Sequence, residues 1–314
     1  MTVFPPPSET DRRQGHLYAV LAYTTWGLLP LYWKLFHSAG AVEVLSHRMI
    51  WSALFLTVIL ILQRRLGDLL ALVTSYPTVR VLFLTASLLS VNWGIYIYGV
   101  NTGQVVEASL GYYINPLVTV LLGLVVLKEK LSPLQQLAVA LAAFGVGYFI
   151  WQLGTVPWIA LSLAVSFALY GLLRKLMPVP PLLGLALETW LITPLTLIIV
   201  SYLASQGQGH FGAAPGITLL FMGAGVATSM PLLWFNQAAQ RLRLATLGFF
   251  QYLAPSISLG LGVFAFREPF TTTHGVTFGC IWTALGLYSL SAWGGARGAR
   301  GAQGAGQQAK RNGD

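Results

Sequence analysis

"EASLGYYINP", residues 107–116, returns in altered form as "LATLGFFQYLAP", residues 244–255. Ala108-Ser109-Leu110-Gly111-Tyr112-Tyr113 matches Ala245-Thr246-Leu247-Gly248-Phe249-Phe250. After a slip of two residues, Pro116, Gly123, Lys128 and Glu129 match Pro255, Gly262, Arg267 and Glu268. A weaker pair, Trp26-Gly27-Leu28-Leu29 and Tyr170-Gly171-Leu172-Leu173, has the same sense. The chain therefore reads as two related halves, and the residues around each copy say what kind of halves they are.

Both copies sit in long apolar runs. Of 314 residues, 55% are hydrophobic and 9% charged, where a soluble domain has about a quarter charged. That composition suits a bilayer. Ten apolar segments approach the roughly 20 residues that cross a hydrocarbon core at about 1.5 Å per residue. They run near 17–35, 41–62, 81–100, 105–127, 134–153, 156–173, 181–204, 215–236, 244–266 and 274–293. The expected fold is an all-α polytopic membrane protein. Its first span is too long for a signal-peptide core and reads as an uncleaved anchor. The Gly/Ala/Gln-rich tail after Trp293 has the bias of a flexible segment without a core.

Lys and Arg counts orient these spans. With the N-terminus cytoplasmic, the inner side collects 15 of the 18: Arg12, Arg13, Arg64, Arg65, Arg80, Lys128, Lys130, Arg174, Lys175, Arg241, Arg243, Arg297, Arg300, Lys310 and Arg311. The outer side receives Lys34 and Arg267, and Arg48 falls inside the second span. Both termini are expected in the cytoplasm. Five spans per half is an odd number, so the second half enters the membrane upside down. The expectation is ten transmembrane helices in two inverted five-helix repeats, 16–153 and 154–293, between a cytoplasmic segment 1–15 and the tail 294–314. Inverted repeats of this kind underlie the alternating access of secondary transporters.

The same phrases carry a family resemblance. "SHRMIWS" (46–52), "EASLGYYINPL" (107–117), "LYGLLRK" (169–175) and "RLRLATLGFFQYLAP" (241–255) resemble the EamA family of the drug/metabolite transporter superfamily, and within it the RarD-type branch. The resemblance spans about residues 15–293. It implies ten helices, an inner-membrane carrier, and small organic substrates or metabolites, commonly exported. The label "chloramphenicol-sensitive protein" attached to the branch names a phenotype and fixes no substrate.

Charges deep in a bilayer need a partner, a wet cavity or an escape to the surface. Glu188 is the deepest acid, seven residues beyond Pro181 and thus roughly 10 Å along its helix. It is a candidate to titrate protons or bind a cation, with Arg48 as a possible counter-charge. His47 and Arg48 lie in the outer half of the second span, with Glu43 one turn earlier. His47 also suits a helix-packing histidine, and Arg48 could snorkel outward. Glu107 opens the fourth span, where a solvated helix-start acid and a translocation residue are both open readings.

Pro116 and Pro255 lack the N–H that would reach the carbonyls of Tyr112 and Gln251. A carbonyl freed at depth must be satisfied by protein or cavity water. With Tyr112 and Asn115 beside one, and Gln251 and Tyr252 beside the other, the phrases read as symmetry-related walls of one central cavity kinked by proline. Plain packed kinks are the alternative. Trp93, with Trp26, Trp190 and Trp234, lies mid-span and could offer a flat wall to an organic ligand.

Other function classes fit less well. The lone Cys280 and the absence of a Cys/His ligand spacing leave no expected metal or cofactor. There is no HExxH, no Gly-x-Ser-x-Gly and no GxxxxGK[ST], so neither an enzyme nor an ATP-driven pump is expected. The net charge of +9 is scattered rather than striped, which does not suit nucleic acid. The expected partners are a small-molecule substrate, the lipid bilayer, and protons or another coupling ion. Substrate, direction and oligomeric state stay open, and a passive channel or lipid flippase is the alternative.

Overall fold

The computed structural model describes residues 9–36, 39–102, 104–265 and 271–311. Arg267 and Glu268, the repeat mates of Lys128 and Glu129, lie outside these residues. The described elements are helical, as a bilayer demands of a single chain that must satisfy its backbone polar groups from within. In chain order they are α1 (Glu9–Trp33), α2 (Ala41–Leu62), α3 (Leu66–Thr74), α4 (Tyr76–Asn101), α5 (Val105–Val125), α6 (Pro133–Leu153), α7 (Trp158–Leu176), α8 (Pro181–Ser205), α9 (Pro215–Arg241), α10 (Leu244–Gln251), α11 (Leu253–Gly260) and α12 (Thr272–Arg311). Among the described residues, eight helices are long and apolar enough to cross a membrane, α10 and α11 counting with residues to Ala265 as one. The described helices begin and end where local chemistry directs. Pro133, Pro181 and Pro215 stand at first helical positions, where the missing N–H has no partner to lose. Ser132 and Gln135 form a reciprocal capping box on α6, and Gly154 ends it at φ 71°.

Three departures from the expected segments have physical causes. The polar connection at 64–80 contains α3, anchored by buried Leu69 and an Arg65–Asp68 pair at 2.9 Å. The ninth segment is broken. The Tyr252 N–H turns back to Phe249 O at 3.2 Å, Pro255 has none to offer Gln251 O, and residues 261–265 form a π turn. Pro116, by contrast, sits within an unbroken α5. Finally, α12 continues through the tail to Arg311, with no proline to interrupt it.

The chain forms two compact bodies. The second holds α6 and α12, which approach so closely that a Cβ on Gly145 would lie 2.8 Å from Cys280 Cβ. Thr277 donates to Gly145 O at 3.2 Å, and Ser132 and Ser291 share a hydrogen bond of 2.7 Å. The first body holds the other ten helices. There α1 packs on α9 and α11, α2 on α8 and α9, α4 on α7 and α8, and α5 on α7 and α10. Close approaches at Gly27 against Ile257, and at Gly248 against Pro116 O, tie α1 to α11 and α10 to α5. At its centre Tyr23, Trp26, Phe167, Tyr170 and Phe235 form one aromatic cluster with ring centres 5.2–6.3 Å apart, a spacing that favours edge and tilted contacts. Trp26 is therefore a packing residue.

Candidate functional site

Arg48 organises the site. It projects from α2 and its Nε donates to Thr228 Oγ1 on α9 at 2.9 Å. Its guanidinium carbon lies 4.5 Å from the ring centre of Trp33, at the end of α1, and 5.4 Å from that of Trp93 on α4. These are cation–π distances. Tyr96, one turn further along α4 than Trp93, meets Tyr112 of α5 with ring centres 6.2 Å apart. Four helices, α1, α2, α4 and α9, thus meet at one cation, and α5 adjoins α4 beside it. The spot is nonetheless open: Tyr112 keeps 52% and Tyr96 37% of their surface. The half-buried Arg48 and these rings together make up the Arg48 cleft. Among the described residues, neither Nη of Arg48 has a hydrogen-bond partner and no carboxylate lies within ion-pair distance. Trp93 also walls a small apolar pocket shared with Met49, Leu89, Leu185, Ile192 and Leu232, which Glu188 lines too.

Glu188 belongs to a different constellation. Its Oε1 accepts from Thr85 Oγ1 at 2.6 Å and lies 3.7 Å from Arg174 Nη1, while its Oε2 accepts from the Tyr170 hydroxyl at 3.4 Å. Asn236 Nδ2 in turn donates to that hydroxyl at 2.9 Å. All five residues are buried. The network joins α4, α7, α8 and α9. The expected pairing of Glu188 with Arg48 is thus corrected: in this structure its cation is Arg174. Arg174, counted above among the inner-surface charges, is fully enclosed. It is seated because Gly184 has no Cβ, the place of which the guanidinium occupies.

The other candidates separate. Glu107 accepts from the Ile159 N–H at 2.7 Å and so caps the free amides at the start of α7, where a negative charge also suits the helix dipole. His47 is buried, stacked on Phe211 at 4.9 Å and 21°, with neither ring nitrogen hydrogen-bonded among the described residues. Glu43 takes both the backbone N–H and the ring Nδ1 of His210, at 2.6 and 2.8 Å.

The four residues expected on one cavity wall do not form one. Asn115 and Gln251 are bridged by Thr119, through contacts of 3.2 Å, across the α5–α10 packing. Tyr112 instead stays exposed beside Tyr96. Tyr252 is 1% exposed, because the turn that breaks α10 from α11 folds its ring inward. A cysteine at position 112 is therefore expected to react with a small polar thiol reagent in membranes, and one at 252 to stay silent. Equal labelling of both would contradict this placement.

Trp33, Tyr96 and Thr228 were not among the sequence candidates, nor were Thr85, Tyr170 and Asn236. A signal existed for Tyr170, which is the repeat mate of Trp26. None existed for Thr228, whose role depends on how α9 lies against α2.

Among the described residues, eight helices able to cross a membrane define a multi-pass membrane protein. Residues 13–151 match the EamA-like transporter family. The chain is 45% identical over 287 residues to the uncharacterized transporter YojE of Bacillus subtilis, covering 90% of this chain and 95% of that one. It is 43% identical over 289 residues to an uncharacterized transporter of Vibrio cholerae, with 92% and 96% covered. To the protein RarD of Escherichia coli it is 42% identical over 281 residues, with 89% and 95% covered. The chain belongs to the EamA-like transporter family and, within it, to the RarD group. A solved crystal structure shares the fold at a TM-score of 0.68 and 18% identity, over 90% of this chain and 98% of that one.

Proposed function

We propose that the protein is a secondary transporter that moves a small organic molecule across the cytoplasmic membrane by alternating access between two inverted five-helix repeats. The observation that carries this is the pattern of helix partners. Replace each helix by its repeat mate, α1 by α7, α2 by α8, α4 by α9 and α5 by the α10–α11 pair. The pairing of α1 with α11 then becomes α7 with α5, α1 with α9 becomes α7 with α4, and α2 with α9 becomes α8 with α4, each of which occurs. The pairs α2 with α8 and α5 with α10 map onto themselves. Such a pattern supports a pseudo-two-fold axis in the membrane plane, about which the halves can exchange conformations. The surroundings of Arg48 draw α1, α2 and α4 from one half and α9 from the other, as a binding site between halves requires.

Ten crossings with both termini in the cytoplasm complete this reading, on the Lys/Arg distribution. Export driven by an ion gradient or by exchange is the direction proposed. Counterflow in proteoliposomes tests it: internal unlabelled substrate should accelerate uptake of labelled substrate, and the flux should saturate. Flux that rises linearly with concentration and shows no counterflow favours the channel alternative, and labelled lipid crossing between leaflets favours the flippase. A reporter fused after Asp314 should be active only in the cytoplasm.

A further inference from the structure

Resting on the transporter reading, we propose that the substrate is a small organic anion, a flat carboxylate or comparable oxyanion, held by the free guanidinium nitrogens of Arg48 between Trp33, Trp93, Tyr96 and Tyr112. The first support is charge. Arg48 lies within a membrane-spanning helix, yet no carboxylate among the described residues pairs with it. The nearby intramembrane acids are committed elsewhere: Glu188 to Arg174 and Thr85, Glu43 to His210, and Glu107 to the Ile159 N–H. A half-buried cation within a membrane span and without a counter-ion is unfavourable, and an incoming anion supplies one. A cationic substrate would meet like charge in the same low-dielectric cleft.

The second support is geometry. Thr228 takes the Nε and the indole of Trp33 covers one face of the guanidinium. The two Nη groups remain, at the end of the fork. A planar fork of donors matches two oxygens of a carboxylate. The walls beside it are aromatic and partly exposed, so the remainder of the ligand meets flat apolar surface with tyrosine hydroxyls at its margin, as small-molecule sites commonly offer. Thr228 is on this reading a positioning residue that fixes the guanidinium plane.

The test uses the purified full-length protein in detergent with matched probes: indole-3-acetate against indole-3-acetamide and tryptamine, and phenylacetate against its amide and amine. Each acid is expected to bind at least about tenfold more tightly than its neutral or cationic counterpart, because only the acid pairs with the arginine. Arg48→Gln should abolish that preference, and Arg48→Lys should keep part of it. Amides or amines that bind the wild type as well as the acids overturn the proposal without need of any variant, as does an acid preference that survives in Arg48→Gln. Failure of the two readings is distinguishable. Arg48-dependent acid binding without counterflow defeats transport alone, whereas counterflow of amides or amines, but not acids, defeats the anion assignment alone.

Discussion

Arg174→Ala is expected to lower stability by about 3–5 kcal/mol, the range seen when one partner of a buried ion pair is removed. The reason is what it leaves behind. Glu188 would keep Thr85 and Tyr170 but lose the Arg174 charge, at a site 4% exposed. Glu188→Gln should also destabilise, by less, because Arg174 still reaches Pro181 O at 3.3 Å but then carries an unpaired charge. The double variant Arg174→Met with Glu188→Leu should recover most of the loss, since replacing a buried pair by apolar side chains of similar volume is often neutral or stabilising. The midpoint of thermal unfolding in detergent measures all three, and an unchanged midpoint for Arg174→Ala would refute the ion-pair account. The double variant also separates two roles for Glu188. If the network only locks α4, α7, α8 and α9 together, proton-gradient-driven transport persists in it. If Glu188 couples protons, that transport is lost while the fold remains.

The outline of this molecule was legible because a bilayer leaves few choices. Runs of about 20 apolar residues become helices, and ends marked by Pro133, Pro181, Pro215 and Gly154 fall where they must. Depth was legible too: Arg48 and Glu188 stood out as charges within spans, and each proved to anchor a polar centre. Direction around a helix was not legible. Tyr112 and Asn115 are three residues apart on α5, yet one lies beside Tyr96 of α4 and the other reaches Gln251 through Thr119. Helices buried on several sides have no polar face to reveal such orientation. Arg174 was misplaced for a related reason. Its depth depends on a glycine ten residues later, on another helix, that leaves space for a guanidinium. Lys/Arg counting treats every terminal cation as a surface one, and this one is enclosed.

Gly225→Ala is expected to disturb stability and the site together. A Cβ there would lie 2.6 Å from Trp51 Cβ and 2.7 Å from Ser52 N on α2. These atoms belong to or adjoin the backbone, so no side-chain rotation relieves the clash, and α9 must move away from α2. Overpacking of this sort costs about 1–3 kcal/mol. It also stretches the bond of 3.1 Å by which Ser52 Oγ donates to Gly225 O. Thr228 follows three residues later, one turn of α9, and it is the partner that fixes Arg48 Nε. Displacing that turn should free the guanidinium to rotate off the Trp33 face, so substrate binding should weaken by about tenfold or more, as loss of one charge-assisted hydrogen bond predicts. Gly216 provides the control on the same helix, since a Cβ at that position meets nothing within 4 Å. Gly216→Ala should leave unfolding temperature and transport near wild type. A Gly225→Ala protein that unfolds and transports like the wild type would show that α2 and α9 can separate at this turn without consequence, and the Arg48–Thr228 contact would then not be what sets the geometry of the cleft.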